Sequence, residues 1–188
     1  MVNLFQGKTP KTMKLILTFT FLSISFFSSC QTLTDTSSTT FAKGNYKIEF
    51  PKNWKIDTSN VPAVEFTLYS PRENISDNFS ENVNLIIQNL VGQNINLDKY
   101  AEISERQIKT NAIDLHDFSS RKIKTNRNEF YELEYKMTFK TYKLHTIQYY
   151  FVENEKAMVL TLTSEINKPE EIQKIGNKII KSFSYKPE

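Results

Sequence analysis

Cysteine, glycine and histidine are scarce in this sequence of 188 residues, which holds 1 Cys, 4 Gly and 2 His. A single cysteine excludes a disulfide framework and a cysteine-based zinc site. Four scattered glycines leave little room for a glycine-rich loop of the kind that cradles phosphate groups. The hydrophobic fraction of 39% is too high for a disordered chain, and the length suits one domain.

Catalytic and metal-binding motifs are missing as well. The sequence has no G-x-S-x-G nucleophile motif. His116 and His145 have no neighbouring thiolate with which to form a zinc site. Asp117 follows His116, but we expect adjacent residues on a strand to face opposite ways. The sequence therefore predicts a protein that is not an enzyme and that needs no cofactor.

Residues 1–29 contain no acidic residue, and their basic residues are Lys8, Lys11 and Lys14. An apolar run occupies positions 15–27. As a helix this run would be about 20 Å long, too short for a bilayer core of about 30 Å. A basic start, a short apolar run and small residues after it are typical of a secretory signal peptide. The signal peptide could start at Met1 or at Met13.

The end of this segment resembles the signal of a bacterial lipoprotein. Two small serines directly precede Cys30, and Phe27 stands where such signals usually have leucine. The resemblance implies removal of residues 1–29 and modification of Cys30 by a diacylglyceryl group and an acyl chain such as palmitate, which is enough to anchor a protein in the lipid bilayer. By resemblance to Gram-negative lipoproteins, Gln31 in place of aspartate argues against retention in the inner membrane and favours the periplasmic face of the outer membrane, although the choice between inner and outer membrane stays open. The alternative is an ordinary secretory signal that leaves Cys30 as a free thiol.

The net charge of +3 comes from 24 basic and 21 acidic residues. The three excess lysines all lie in the segment 1–29, so the chain from Cys30 onward is neutral. Residues 30–40 are rich in serine and threonine, which predicts a flexible tether behind the lipidated cysteine. The patterned sequence of a folded domain follows at 41–188.

Alternation of apolar and polar residues predicts strands at 46–50, 54–56, 64–68, 83–91, 131–140, 142–152 and 157–163. Asn96 is a good N-cap for an amphipathic helix over Leu97–Asn111. A second helix opens at 168–171, with a buried stripe of Ile172, Ile175, Ile179 and Phe183. Strands resume after the first helix, before the stretch 131–140, so the predicted order is β-β-β-β-α-β-β-β-β-α. We therefore expect an α+β fold, with two helices packed on an antiparallel sheet of about seven to eight strands.

Four segments resemble landmarks of PsbP-like proteins. The segment 45–54 has an aromatic strand followed by Pro-x-x-Trp, and 79–85, 97–100 and 181–183 resemble the later landmarks. The resemblance covers residues 41–185 and implies the Mog1/PsbP-like fold, which also occurs in the bacterial lipoprotein DcrB. Members often have a glycine near the turn at 126–128, where this sequence has Asn126-Arg127-Asn128.

Two sets of acidic residues are candidates for chemistry. Glu132 and Glu134 lie on one face of a predicted strand, about 7 Å apart. Lys136 follows on the same face, so solvated charges are the favoured interpretation. Oxygen ligands for calcium could come from Glu73, Asn74, Asp77, Asn78 and Glu81. Their spacing is not that of an EF-hand, so we predict no metal site.

A basic cluster is the candidate surface for an anionic partner. Its members are Arg121, Lys122, Lys124, Arg127, Lys136, Lys140 and Lys143. Nucleic acid is an improbable ligand outside the cytoplasm, so anionic lipid or an acidic protein is the better functional interpretation. A solvated strand face is the alternative, because acidic residues are interspersed.

The PsbP-like resemblance implies an accessory or assembly factor that binds other proteins. Combined with the lipoprotein signal, it predicts a non-catalytic, membrane-anchored protein of the bacterial cell envelope with an envelope protein as partner. The alternative function is a small-molecule or lipid carrier that uses a cleft between helix and sheet. A carrier requires an apolar pocket of a few hundred Å³.

Overall fold

The computed structural model describes residues 37–59, 61–126 and 128–186. The signal segment and Cys30 lie outside the described residues, as does Arg127. The strands are β1 (Ser38–Lys43), β2 (Tyr46–Pro51), β3 (Lys55–Asp57), β4 (Val64–Tyr69), β5 (Asn82–Asn89), β6 (Ile113–Lys124), β7 (Glu129–Phe139), β8 (Tyr142–Glu153), β9 (Lys156–Glu165) and β10 (Ser184–Tyr185). The helices are α1 (Leu97–Asn111) and α2 (Glu170–Ser182).

The strands form two sheets. The main sheet has seven strands in the order β3-β4-β5-β9-β8-β7-β6, and every neighbouring pair is antiparallel. A smaller sheet has the order β1-β2-β10. The predicted α+β class with two helices on an antiparallel sheet is confirmed. None of the helices in the described ranges is long and apolar enough to cross a membrane.

The two strands that the sequence pattern did not reveal are both short elements of the smaller sheet. Strand β1 pairs with β2 from Ser38 onward, so the last three residues of the predicted tether belong to a sheet. They are polar because only one face of β1 packs inward, where Phe41 contacts the core. Strand β10 adds two residues after α2. Both therefore depend on pairing with β2 rather than on their own pattern.

Helix α1 has the bounds that the sequence predicts. The Asn96 side chain accepts a hydrogen bond of 2.9 Å from the backbone N–H of Lys99, which satisfies one free donor of the first turn. Asp98 in the first turn and Lys109 in the last turn complement the helix dipole. The buried residues of the helix follow the 3–4 spacing and are Tyr100, Ala101, Ser104 and Ile108.

The main sheet is covered on both faces, and a hydrophobic cluster lies on each of them. Helix α1 covers a cluster that includes Leu90, Tyr100, Ile108, Leu133, Tyr135, Met137, Tyr150 and Val159. Helix α2 and the smaller sheet cover the other, which includes Ile48, Phe50, Trp54, Phe66, Leu68, Val83, Leu85, Tyr149, Phe151, Leu160, Ile179 and Ile180. Strands β8 and β9 contribute to both clusters, which is why they are buried along nearly their whole length. Every described element lies within residues 38–185, so a chain without residues 1–29 retains both clusters.

Candidate functional site

The structure divides the predicted basic cluster between the faces and ends of the main sheet. Lys122 lies on the α1 side, where its ammonium is 2.8 Å from Asp98 and 3.3 Å from Glu129. Arg121 is the neighbouring residue on β6 and donates from Nε to Glu132 at 2.9 Å. Both basic side chains are thus neutralised by carboxylates on nearby strands or on α1.

The remaining members of the cluster do not come together either. In the strand register, Lys124 stands opposite Glu129, the first residue of β7. Lys140 instead follows Phe139, the last residue of that strand. About 33 Å separates these positions at the usual rise of a strand. Lys143 is exposed beside the same turn as Lys140. These residues therefore do not form a single anion-binding surface.

Glu132 and Glu134 belong to a ladder of paired charges across β6, β7 and β8. Arg121 binds Glu132, and His145 Nε2 lies 2.8 Å from Glu134 Oε1. Burial, together with the adjacent charge of Glu132, raises the pKa of Tyr149 to about 12. Each carboxylate has its own partner, so the ladder joins the three strands across one face of the sheet.

His116 and Asp117 differ from the expectation that they face opposite ways. Asp114 and Asp117 have positive φ angles of 51° and 52°, and the pairing of β6 with β7 shifts on both sides of His116. These bulges break the alternation of side chains. Asp117 consequently binds the ammonium of Lys136 at 2.7 Å, although it is His116 that stands opposite Lys136 in the register. The imidazole Nδ1 of His116 donates to the Asp114 carbonyl oxygen at 2.7 Å.

Three of the five acidic and amide residues that were considered as possible oxygen ligands converge on a lysine. The Nζ atom of Lys168 lies 2.8 Å from Asp77, 3.4 Å from Glu73 and 3.7 Å from Glu81. Glu165 adds a fourth carboxylate at 3.9 Å. We call these five residues the Lys168 cluster. Within the described ranges, no group of three or more His, Cys, Asp or Glu side chains is arranged to hold a metal ion.

Three members of the Lys168 cluster are deeply buried. The side chains of Lys168, Asp77 and Glu81 are only 8%, 5% and 2% exposed. Burial raises the pKa of Glu81. Burial alone would also raise the pKa of Asp77, but hydrogen bonds from Lys168 and from two backbone N–H groups outweigh it and lower that pKa. The sequence predicted only that Lys168 precedes a helix, because residues 91 positions apart along the chain show no common pattern.

The Lys168 cluster fixes a loop, residues 71–81, that joins β4 to β5. Asp77 accepts hydrogen bonds from the backbone N–H groups of Glu73 and Phe79 at 3.0 and 3.2 Å. Asn74 accepts another from the N–H of Ser76 at 2.8 Å. Between these bonds lies Ile75, whose surface is 88% exposed. The loop thus holds a large apolar side chain in solvent on a backbone that is bonded on both sides of it.

Side chains pack closely at one point beneath each helix. Beneath α1, the Tyr150 hydroxyl donates to Gln148 at 2.6 Å, and Gln148 donates to Thr161 at 3.2 Å. Beneath α2, a Cβ atom added to Gly176 would lie 2.9 Å from Leu162. These contacts fix where α1 and α2 lie on the main sheet.

Comparison of the sequence with protein-family models and with curated proteins found no match. Solved structures resemble it in fold. Cyanobacterial PsbP (CyanoP) from Synechocystis is 16% identical with a TM-score of 0.59, over 84% of this chain and 98% of that one. LpqN from Mycobacterium tuberculosis is 13% identical with a TM-score of 0.60, over 80% and 91%. A protein of unknown function from Pseudomonas aeruginosa is 11% identical with a TM-score of 0.54, over 80% and 99%. The chain therefore has the Mog1/PsbP-like fold that its sequence landmarks predicted.

Proposed function

We propose that the protein is a lipid-anchored, non-catalytic accessory or assembly factor of the bacterial cell envelope, and that it binds a partner protein through the loop 71–81. The signal pattern that ends at Cys30 supports the anchor. The described domain starts at Ser37, only seven residues after that cysteine. LpqN, one of the proteins of similar fold, is described as involved in cell envelope biogenesis, which favours the same compartment.

The exposure of Ile75 is the observation that carries the binding role. An isoleucine that is 88% exposed contributes almost no burial to this fold. The loop that presents it is nevertheless held by the Lys168 cluster, of which Lys168, Asp77 and Glu81 are buried. Loops that are fixed by a rigid scaffold are common binding elements, and a preformed apolar side chain lowers the entropy lost on association.

The anchor is tested by metabolic labelling with a fatty-acid analogue. We expect the intact protein to take up label and the Cys30→Ser variant to take up none. The Ser28→Ala variant is the matched control, because it keeps a small residue before the cysteine and should be labelled normally. Undiminished label in Cys30→Ser would refute lipidation at this residue.

The binding role is tested by affinity purification from solubilised membranes. We expect an envelope protein to be recovered with the intact chain. Its recovery should be at least tenfold lower with Ile75→Ser, because burial of an isoleucine is worth roughly 1.5–3 kcal/mol. Val91→Ser is the control, since Val91 is 64% exposed outside this loop. Equal recovery of the partner with both variants would contradict binding through the loop 71–81. Retention of a small ligand without any protein partner would favour a carrier.

A further inference from the structure

Helix α2 presents three lysines on its solvent side. Lys174, Lys178 and Lys181 follow each other at intervals of four and three residues, which places them on one face of the helix. The opposite face packs into the core through Ile172, Ile179 and Ile180. All three lysines are exposed, so the fold itself does not require their side chains.

A shallow, open surface depression of about 570 Å³ lies along this face of the helix. Its lining consists of Lys174, Asn177, Lys178, Lys181 and Ser182. We call it the α2 groove. Its lining contains no carboxylate, in contrast to the predicted cluster at 121–143, where carboxylates neutralise several of the basic residues.

The charge of the α2 groove is only partly compensated. Lys174 forms an ion pair of 2.9 Å with Glu170, one turn earlier on the helix. Lys178 and Lys181 have no carboxylate within ion-pair distance among the residues that the structure describes. The partial negative charge at the end of α2 opposes anion binding, but it amounts to about half a charge, less than either of these lysines carries.

The α2 groove lies near the place where the tether joins the domain. Ser182 is bonded through its hydroxyl to both the N–H and the carbonyl of Glu49 on β2, at 2.9 and 3.0 Å. Ser38, the first residue of β1, stands opposite Pro51 on the same strand. Two residues along a strand measure about 7 Å. The tether therefore reaches the domain beside the helix end that carries Lys178 and Lys181.

The tether is also short. Ser37 lies seven positions after Cys30, which allows at most about 25 Å of extended chain between them. A lipid on Cys30 would hold the α2 groove within reach of the membrane surface at all times. The chain from Cys30 onward is neutral overall with these three lysines included, so local positive charge such as theirs would determine which side of the domain faces an anionic surface.

We infer that the α2 groove binds the phosphate groups of anionic phospholipids and so orients the domain on the membrane. The inference rests on the proposed lipid anchor only for its biological setting, because the contact itself needs no lipid on Cys30. Ammonium groups are suited to phosphate as mobile point charges with three donors each. In this orientation the lysines of α2 face the leaflet, and the tether leaves the domain on the same side.

The test is sedimentation with lipid vesicles of the chain from residue 30 to 188 carrying Cys30→Ser. This chain has no lipid of its own but retains both hydrophobic clusters. Vesicles of phosphatidylcholine alone are compared with vesicles that also contain phosphatidylglycerol, at low ionic strength. We expect binding only to the second kind, and we expect added salt to weaken it through screening.

The decisive comparison is between two triple variants that remove the same charge. Changing Lys174, Lys178 and Lys181 to glutamine should weaken vesicle binding by about fivefold per lysine, or about a hundredfold in all. Changing Lys124, Lys140 and Lys143 to glutamine should leave it within threefold of the parent. Unchanged thermal unfolding of both variants would show that the exposed lysines are not needed for folding.

Three outcomes would overturn the inference. Equal weakening by both triple variants would mean that net charge, not the α2 groove, controls binding. Absence of binding to vesicles that contain phosphatidylglycerol would exclude anionic phospholipid as the ligand. Loss of an acidic protein from the purified complexes with the α2 variant, at unchanged vesicle binding, would identify a protein surface instead. None of these results would alter acyl labelling at Cys30 or capture through Ile75, so the proposed function is tested separately.

Discussion

Lys168→Met isolates the energetic role of the Lys168 cluster. Methionine keeps much of the length of the lysine side chain but removes the positive charge of Lys168, which alone among the described residues faces Asp77 and Glu81, 5% and 2% exposed. Removal of one partner from a buried ion pair costs about 3–5 kcal/mol, because the other charge stays buried without compensation. Glu73 and Glu165 are 25% and 30% exposed, so solvent screens them and they add little.

We therefore expect Lys168→Met to lower the free energy of unfolding at pH 7 by about 3–5 kcal/mol. For a domain of this size that corresponds to a fall in Tm of roughly 6–20 °C. Urea unfolding followed by circular dichroism measures the first quantity, and a thermal scan measures the second. Lys178→Met is the matched control. Because Lys178 is exposed, this variant should lower the free energy of unfolding by less than about 0.5 kcal/mol.

The pH dependence gives the same reasoning a second test. Without Lys168, we expect the pKa of both buried carboxyl groups to be higher than in the parent, because no ammonium then offsets their burial, and protonation relieves the penalty. The stability gap between Lys168→Met and the parent should accordingly shrink as the pH falls from 7 towards 5. In the parent, the pKa of Asp77 is lowered, so its contribution is present above the unfolded value of about 3.9 and is lost as the pH falls below it.

Replacement of a buried carboxylate should rescue the variant. Glu81→Gln removes a charge whose pKa is already raised by burial, and its amide can still bond to the Ser70 hydroxyl, which lies 3.0 Å from the carboxylate in the parent. The double variant Lys168→Met/Glu81→Gln should recover at least 1 kcal/mol relative to Lys168→Met alone. A loss below 1 kcal/mol in Lys168→Met, or a gap that does not shrink in acid, would refute the reasoning.

Three further predictions concern the helices. Ser182→Ala should cost about 1–2 kcal/mol and speed amide hydrogen exchange at Glu49, because the hydroxyl bonds to both backbone groups of that residue; unchanged exchange would contradict it. Gly176→Val should lower stability by about 1–3 kcal/mol in urea unfolding, since Leu162 leaves no room for a side chain; a neutral result would show that Leu162 can move aside. Asn96→Ala should cost about 1 kcal/mol through loss of the cap on α1, whereas Asn96→Asp should retain it.

The sequence by itself determined the elements whose pattern is local. Helix α1 has the predicted bounds, because a cap and a 3–4 spacing are properties of neighbouring residues. Strand β7 follows the predicted alternation for the same reason. The apolar landmark Trp54 is buried in the core, as the aromatic Pro-x-x-Trp segment suggested.

Only the tertiary structure decided which charges meet and which remain unpaired. The basic residues at 121–143 form a group in sequence, but β-strand geometry spreads them over two faces and about 33 Å. Because of the bulges at Asp114 and Asp117, the Asp117 carboxylate does not point to the side of the sheet that strict alternation predicts. Lys168 meets Asp77 across 91 residues because loop 71–81 and the turn after β9 lie at the same end of the sheet. Such pairings depend on contacts that are distant along the chain, and no local pattern encodes them.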